Sequence, residues 1–477
     1  MLRKFGLGVT AAAVAAAGAA LATVSPASAQ IAYTTNFTTS ITYQNVGAGP
    51  ATISLQFYPE NSGTAISFNV PVLAQGAGTS IFLGNVSGVS AGFTGSAVMS
   101  ADQPVVATMV QVPPAGNAVR NRPIANGFSS GSSKVLIATV LKNKFNSSTK
   151  FSVQNVDTEA VNVTVDFYDA DNAGAKVHTA TVSALPVGAA KYFAADIIAE
   201  LPVGFNGSAV ITAKKSGDQP ANVVAAAMEL STTSTGASSF EGVPTGGNSF
   251  YMASALCNTF SQNSAYAVQN TGEEGAGAAA VTVTYNTGKT ETKTVAVGAK
   301  ASFLGCGDSG TLNAPFSGSA TITSTGNKIV AIGKVVGNGA STAFLGAASG
   351  SAKQVLPYVR WTDSRYDTAS GFRQRTYIAI QNVSDTAVSG VTVKYSGKDG
   401  ALLGSHALGP ISAKGKLNST AKDAGQTEFG YYTDGSFGGS AVVEGPAGSQ
   451  LVVVARVQSK GDGTQQLAED YNGIGVE

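Results

Sequence analysis

The side chains of this 477-residue chain that could carry out chemistry are few and lie far apart. Two histidines, His178 and His406, are the candidate bases, and Ser90 and Ser129 sit at the centre of Gly-x-Ser-x-Gly strings at 88–92 and 127–131. A serine nucleophile needs a base within hydrogen-bond reach, a third group to orient that base, and a sharp strand-to-helix turn to expose it. Neither string lies between a strand pattern and a helix pattern, and both histidines fall in later parts of the chain. The expectation is a protein that is not an enzyme and needs no cofactor.

Two local clusters remain. Asp166, Asp169 and Asp171, followed by Asn172, gather oxygens within one short stretch, and oxygen is what a hard cation such as Ca²⁺ takes, about six to eight at a time. The stretch lacks the ordered D-x-D-x-D-G spacing and the distal Glu of a calcium loop, and its composition equally describes a polar turn. The second cluster runs from Arg360-Trp361-Thr362-Asp363-Ser364-Arg365-Tyr366 to Arg373-Gln374-Arg375 and holds the only Trp and four of the eight Arg. Trp, Tyr and Arg supply large contact area and multidentate hydrogen bonds at recognition sites, and a Trp face can stack on a sugar ring. The same residues could instead seal a long loop with Arg–Asp pairs over a buried Trp.

The elements that must hold these clusters come from one pattern copied four times. Phe-x-Gly-Ser-Ala occurs with its Gly at 95, 207, 318 and 439, and Gln-Asn occurs at 44–45, 154–155, 269–270 and 381–382. Two unrelated marks with one period of about 110 residues describe tandem copies of a domain. In the second copy Val161, Val163, Val165 and Phe167 alternate with polar residues, which puts the apolar set on one face of a half-buried strand. Val135 to Leu141, Lys150 to Val156, His178 to Leu185, Gly207 to Ala213 and Val223 to Leu230 are further strand-length runs, separated by polar or Gly-Pro turns. About seven short strands with regular turn signals and no helix pattern predict an all-β fold, four tandem immunoglobulin-like antiparallel β-sandwiches. The expected copies are 30–128, 129–245, 246–349 and 350–477, and the Ser/Thr/Gly-rich stretches 231–239 and 337–342 read as short linkers between them. Each Phe-x-Gly-Ser-Ala is read as packing, its small residues allowing a facing backbone to come close.

Composition narrows the surroundings. Only 12% of residues are charged and the formal net charge is +1; with no basic run to neutralise phosphates, nucleic acid is not an expected partner. Residues 1–29 read as a signal peptide, with Arg3 and Lys4, an apolar stretch from Gly6 to Val24, and Ala27-Ser28-Ala29 ahead of a cleavage site at Gln30. After cleavage no run is long and apolar enough for a membrane helix. Export favours a disulfide between Cys257 and Cys306 in the third copy, where the sibling copies have no cysteine.

Ile380 to Tyr395, with its Gln381-Asn382, short turn, Ala387 and alternating Val391, Val393 and Tyr395, resembles the core of CARDB-like and related immunoglobulin-like repeats of bacterial cell-surface proteins; Val153 to Tyr168 follows the same outline. The resemblance implies an extracellular or cell-surface location and a structural or adhesive role with no catalytic residues. Weak surface charge leaves little barrier to self-association. The expected function is thus an exported, non-enzymatic rod or lattice subunit that self-associates or joins the cell envelope. The alternative is a secreted array of glycan- or protein-binding modules using Trp361, Arg360, Arg365, Tyr366, Arg373 and Arg375.

Overall fold

In the second copy, the alternating runs become the strands Lys134–Leu141, Ser147–Asn155, Val161–Asp169, Ala175–Leu185, Ala190–Ala194, Asn206–Lys214, Val223–Ser231 and Ala237–Glu241. The computed structural model describes residues 35–476 apart from 115–116, 118, 232–235, 274, 307–310, 339, 367–372, 434–436 and 461–465. The leader lies outside the described residues. Val161, Val163, Val165 and Phe167 are all buried while Asn162 is exposed, the face split that a period of two dictates.

These eight strands form two antiparallel sheets. One has the order 175–185, 161–169, 206–214, 134–141, and the other 190–194, 147–155, 223–231, 237–241. The third and fourth copies repeat the scheme, the fourth adding a two-stranded sheet from Trp361–Thr362 and Glu428–Phe429. Among the described residues no sheet mixes strands from two copies. The molecule is therefore all-β, built as four tandem immunoglobulin-like sandwiches. Pairing of the second strand with the fifth and the third with the sixth follows the immunoglobulin arrangement. The first and seventh strands exchange sheets relative to it: the first pairs with the Gly-Ser-Ala strand and the seventh with the Gln-Asn strand.

Each landmark has a local cause. A Cβ on Gly95 or Gly207 would stand 2.0 or 2.1 Å from the carbonyl oxygen of Tyr58 or Tyr168 in the adjacent strand, so only glycine permits that pairing. Asn155 Nδ2 donates to the carbonyls of Glu159 and Leu185, and its Oδ1 accepts from the Asp157 amide, pinning the turn and the neighbouring strand. Asn45, Asn270 and Asn382 each make the corresponding pair of contacts. Cys257 and Cys306 form the disulfide, Cα to Cα 5.0 Å, closing the third sandwich beside Leu312.

The stretches expected as linkers run, where described, into paired antiparallel strands of one copy, residues 232–235 and 339 lying outside the described residues. Val223–Ser231 pairs with Ala237–Glu241, and Ile329–Gly337 with Ala340–Leu345. Ser, Thr and Gly serve a tight turn as well as a linker, and composition alone did not separate the two. The eighth strands made this way bring Phe240, Phe344 and Tyr471 into the buried cores.

Candidate functional site

The recurring polar residues meet where one sandwich touches the next. Ser96 Oγ donates to the Gly188 carbonyl at 2.6 Å, Ser208 to Gly298 at 3.4 Å, and Ser319 to Lys414 at 2.7 Å. The three acceptors occupy the same turn, each in the left-handed region with φ 77°, 74° and 56°. Gln154 Nε2 reaches back to Ala97 O at 3.4 Å, Gln269 to Ser208 Oγ at 2.7 Å, and Gln381 to Ala320 O at 3.3 Å. Gly-Ser-Ala of one copy and the Gln of the next thus form one joint, made three times along the chain.

A fourth joint links the last copy to the first. The Gly78 amide donates to Lys398 O at 3.1 Å, Asn121 Nδ2 to Ala468 O at 3.1 Å, the Arg122 amide to Glu469 Oε1 at 2.6 Å, and Asn126 Nδ2 to Asn472 O at 2.9 Å. Together the joints run from copy one through copy four and back, where sequence reading pointed to an open row. The strands Ile124–Asn126, Ala237–Glu241, Ala340–Leu345 and Gln466–Asn472 contact one another in the same cyclic order. The described residues, all within 31–477, accordingly form one compact unit.

Where these strands meet, charge is buried. Glu241 accepts from the Asn126 amide, Asp470 accepts from Thr342 Oγ1 at 2.6 Å, and Arg456 makes two 2.8 Å bonds to the Asp470 carboxylate. Burial pushes the Glu469 carboxyl up to about 8, against which the bond from the Arg122 amide acts only in part. Burial also raises Glu241. Between copies two and three, burial and the nearby Lys334 amine push Lys300 down to about 7, with its amine 3.0 Å from Thr139 Oγ1.

The Trp/Arg cluster is folded in on itself. Trp361 is 5% exposed, its Nε1 donates to Asp363 at 3.0 Å, and its ring meets Tyr377 edge-on at 5.6 Å. The Arg375 guanidinium lies over both Trp361 and Tyr366, at 5.2 and 4.2 Å, and donates to Thr362 O. Arg360 is buried on the Tyr358 ring and donates to the carbonyls of Val359 and Gly439. The Arg365 amide bonds Thr362 Oγ1, and Arg373 opens the strand Arg373–Asn382. Glu428 holds Thr362 and Ser364 from the facing strand. The stacking surfaces a sugar would use are therefore engaged within the cluster.

The other candidates stand apart. Asp166 accepts from Thr179, the Asp169 side chain accepts from the Asp171 amide, and Asp171 pairs with Lys144 at 3.0 Å and with Asn206. Among the described residues no three His, Cys, Asp or Glu side chains gather as metal ligands. His178 lies beside Phe167 in the second copy. His406 Nδ1 is 2.8 Å from Ser419 Oγ, a pairing the sequence gave no sign of, but Ser419 is 0% exposed and also bonded to Tyr395. No substrate carbonyl reaches a hydroxyl so enclosed. A cleft of about 360 Å³ between copies three and four is lined by Thr284, Tyr285, Asn286, Thr321 and Lys414, whose amine is paired with Asp385 at 3.0 Å.

Sequence reading assigned Gly-Ser-Ala to packing and used Gln-Asn as a mark of the period, and so missed that Ser and Gln join the copies. The available signal was a Gln that recurs beside each Asn on a buried strand, where the Asn already pins the turn; Gln44, Gln154 and Gln381 also bond a turn carbonyl of their own copy.

No family model matches the chain, and no curated protein does. Among solved structures it is similar to a tetra-tandem repeat in the extending region of a large adhesion protein, with 12% identity and a TM-score of 0.09, covering 91% of this chain and 94% of that one. It is also similar to the T13 IBDV viral particle, with 9% identity and a TM-score of 0.11, covering 90% and 78%. Scores this low carry no argument about shared architecture or role.

Proposed function

We propose that this chain is exported by its N-terminal leader and acts without catalysis, as a structural or adhesive component outside the cell or on its surface. The observation that carries the reading is where the repeated polar residues go: at three joints the Ser of one copy and the Gln of the next reach across, Ser208 and Gln269 to each other and the rest to backbone carbonyls of the neighbouring copy, so the recurring residues serve the fit between sandwiches. A scaffold whose copies close on themselves acts as a single block, which suits a subunit of a larger assembly better than an extended rod. The CARDB-like pattern at 380–395 and the 12% charged composition support a place among surface repeats. Sedimentation velocity on the mature chain, together with immunogold microscopy of intact cells, tests it. Surface labelling and concentration-dependent growth in mass are expected; a chain found only inside cells, or one that hydrolyses ester or glycoside substrates, contradicts it.

A further inference from the structure

Among the described residues the first sandwich is one strand short. In copies two, three and four the Gly-Ser-Ala strand is flanked by the first strand of its own copy: Lys134–Leu141 on Asn206–Lys214, Ser249–Cys257 on Phe316–Thr325, and Lys353–Leu356 on Gly439–Glu444. In copy one Gly95–Ala101 pairs with Ile53–Pro59 on one side, and on the other side no strand of the described residues pairs with it. Its inward side chains register the loss. Ala209 and Ile211 are fully buried in copy two, whereas the equivalent Ala97 and Met99 are half-buried, with Ile66 and Phe68 beside them also only partly covered.

The sequence register explains the gap. The spacing of 110 between Gln44 and Gln154 maps Lys134–Leu141 onto residues 24–31. Opposite Ala97–Ser100, where copy two sets Lys134–Ile137, fall residues 24–27, which belong to the expected leader and include Pro26. Removal of the leader takes that stretch away, and a proline there would in any case lack the amide a ladder needs. The exposed edge, Gly95-Ser96-Ala97-Val98-Met99-Ser100-Ala101, has none of the lysines, prolines or bulges by which natural edges resist pairing. It also continues from the joint with copy two, where Tyr192 Oη donates to Gly95 O at 2.6 Å.

We propose that this edge, Ala97–Ser100, accepts an extended segment of a different protein, which completes the first sandwich by β-augmentation. The sibling strands define the segment's chemistry: four or more residues in antiparallel register, uncharged at the centre, with branched aliphatic side chains where Val135 and Ile137 stand in copy two. The proposal rests on the leader being removed, and the experiments separate the two. Intact mass of the exported chain tests removal by itself. Binding is measured on a chain produced to start at Gln30, using a fluorescent peptide of the Lys134–Leu141 sequence with solubilising lysines at its C-terminus. Saturable binding is expected, falling at least tenfold when proline replaces the residue corresponding to Ile137. A second chain, with the Lys134–Lys144 sequence placed directly ahead of Thr35, fills the edge internally; it is expected to melt at a higher temperature and to lose peptide binding. Absence of saturable binding, or equal binding by the filled chain, overturns the proposal. Self-association of the Gln30 chain that the filled chain lacks also overturns it, since the occupant would then be a second copy.

Discussion

At the scale of single residues, the chain is governed by close approach. Gly207→Ala sets a Cβ 2.1 Å from Tyr168 O and 2.2 Å from the Phe205 ring, a clash with backbone that cannot yield, and thermal unfolding should record a loss of about 2–3 kcal/mol. Gly49→Ala, with nothing within 4 Å of the new carbon, is the control and should leave the midpoint in place. Breaking the Cys257–Cys306 bridge, which closes a loop of 49 residues, should cost about 2–4 kcal/mol, read as a lower midpoint on adding reductant. The glycine and cysteine roles were legible because each depends on a local property, absence of a side chain or a thiol in a chain read as exported. The inward turn of Trp361 was one of two open alternatives. Choosing between them depends on Arg375 and Glu428, which lie 14 and 67 positions along and become neighbours only through the strands Arg373–Asn382 and Glu428–Phe429.

Strands were easier to read than the connections between them. A period of two needs only the residues of one strand, so Val161–Asp169 could be drawn with its buried face from sequence. Hairpin turns and linkers share a composition, and the exchange of the first and seventh strands between sheets leaves no mark on either strand's own pattern. The joints sit at this scale too. Removing the Gln side chain in Gln269→Ala leaves Ser208 without its 2.7 Å partner at a buried position, and a cost of about 1–2 kcal/mol is expected. Hydrogen exchange should rise in Asn206–Lys214 and Asn263–Asn270 together, with the fourth sandwich unchanged; an increase confined to one strand would argue against a shared joint.

For the molecule as a whole, closure brings the ends of the fold together and buries acid at the meeting of the eighth strands. Glu469 is held near 8 in the folded state against an ordinary 4.5, so the folded chain retains a proton that the unfolded chain releases over that interval. Its contribution is greatest below about 4.5 and is lost as pH rises through about 8. The difference in stability between Glu469→Gln and the parent chain should therefore shift in favour of the variant from pH 5 to pH 8, measured by urea unfolding. Cyclic closure could not be read from sequence, because nothing in a tandem period states whether the last copy returns to the first. Small-angle X-ray scattering of the chain starting at Gln30 tests that closure most directly. Four sandwiches joined in a circuit predict a radius of gyration of about 22 Å, as for any compact unit of this length. An open row of four would give roughly 40 Å, and that value would contradict the account.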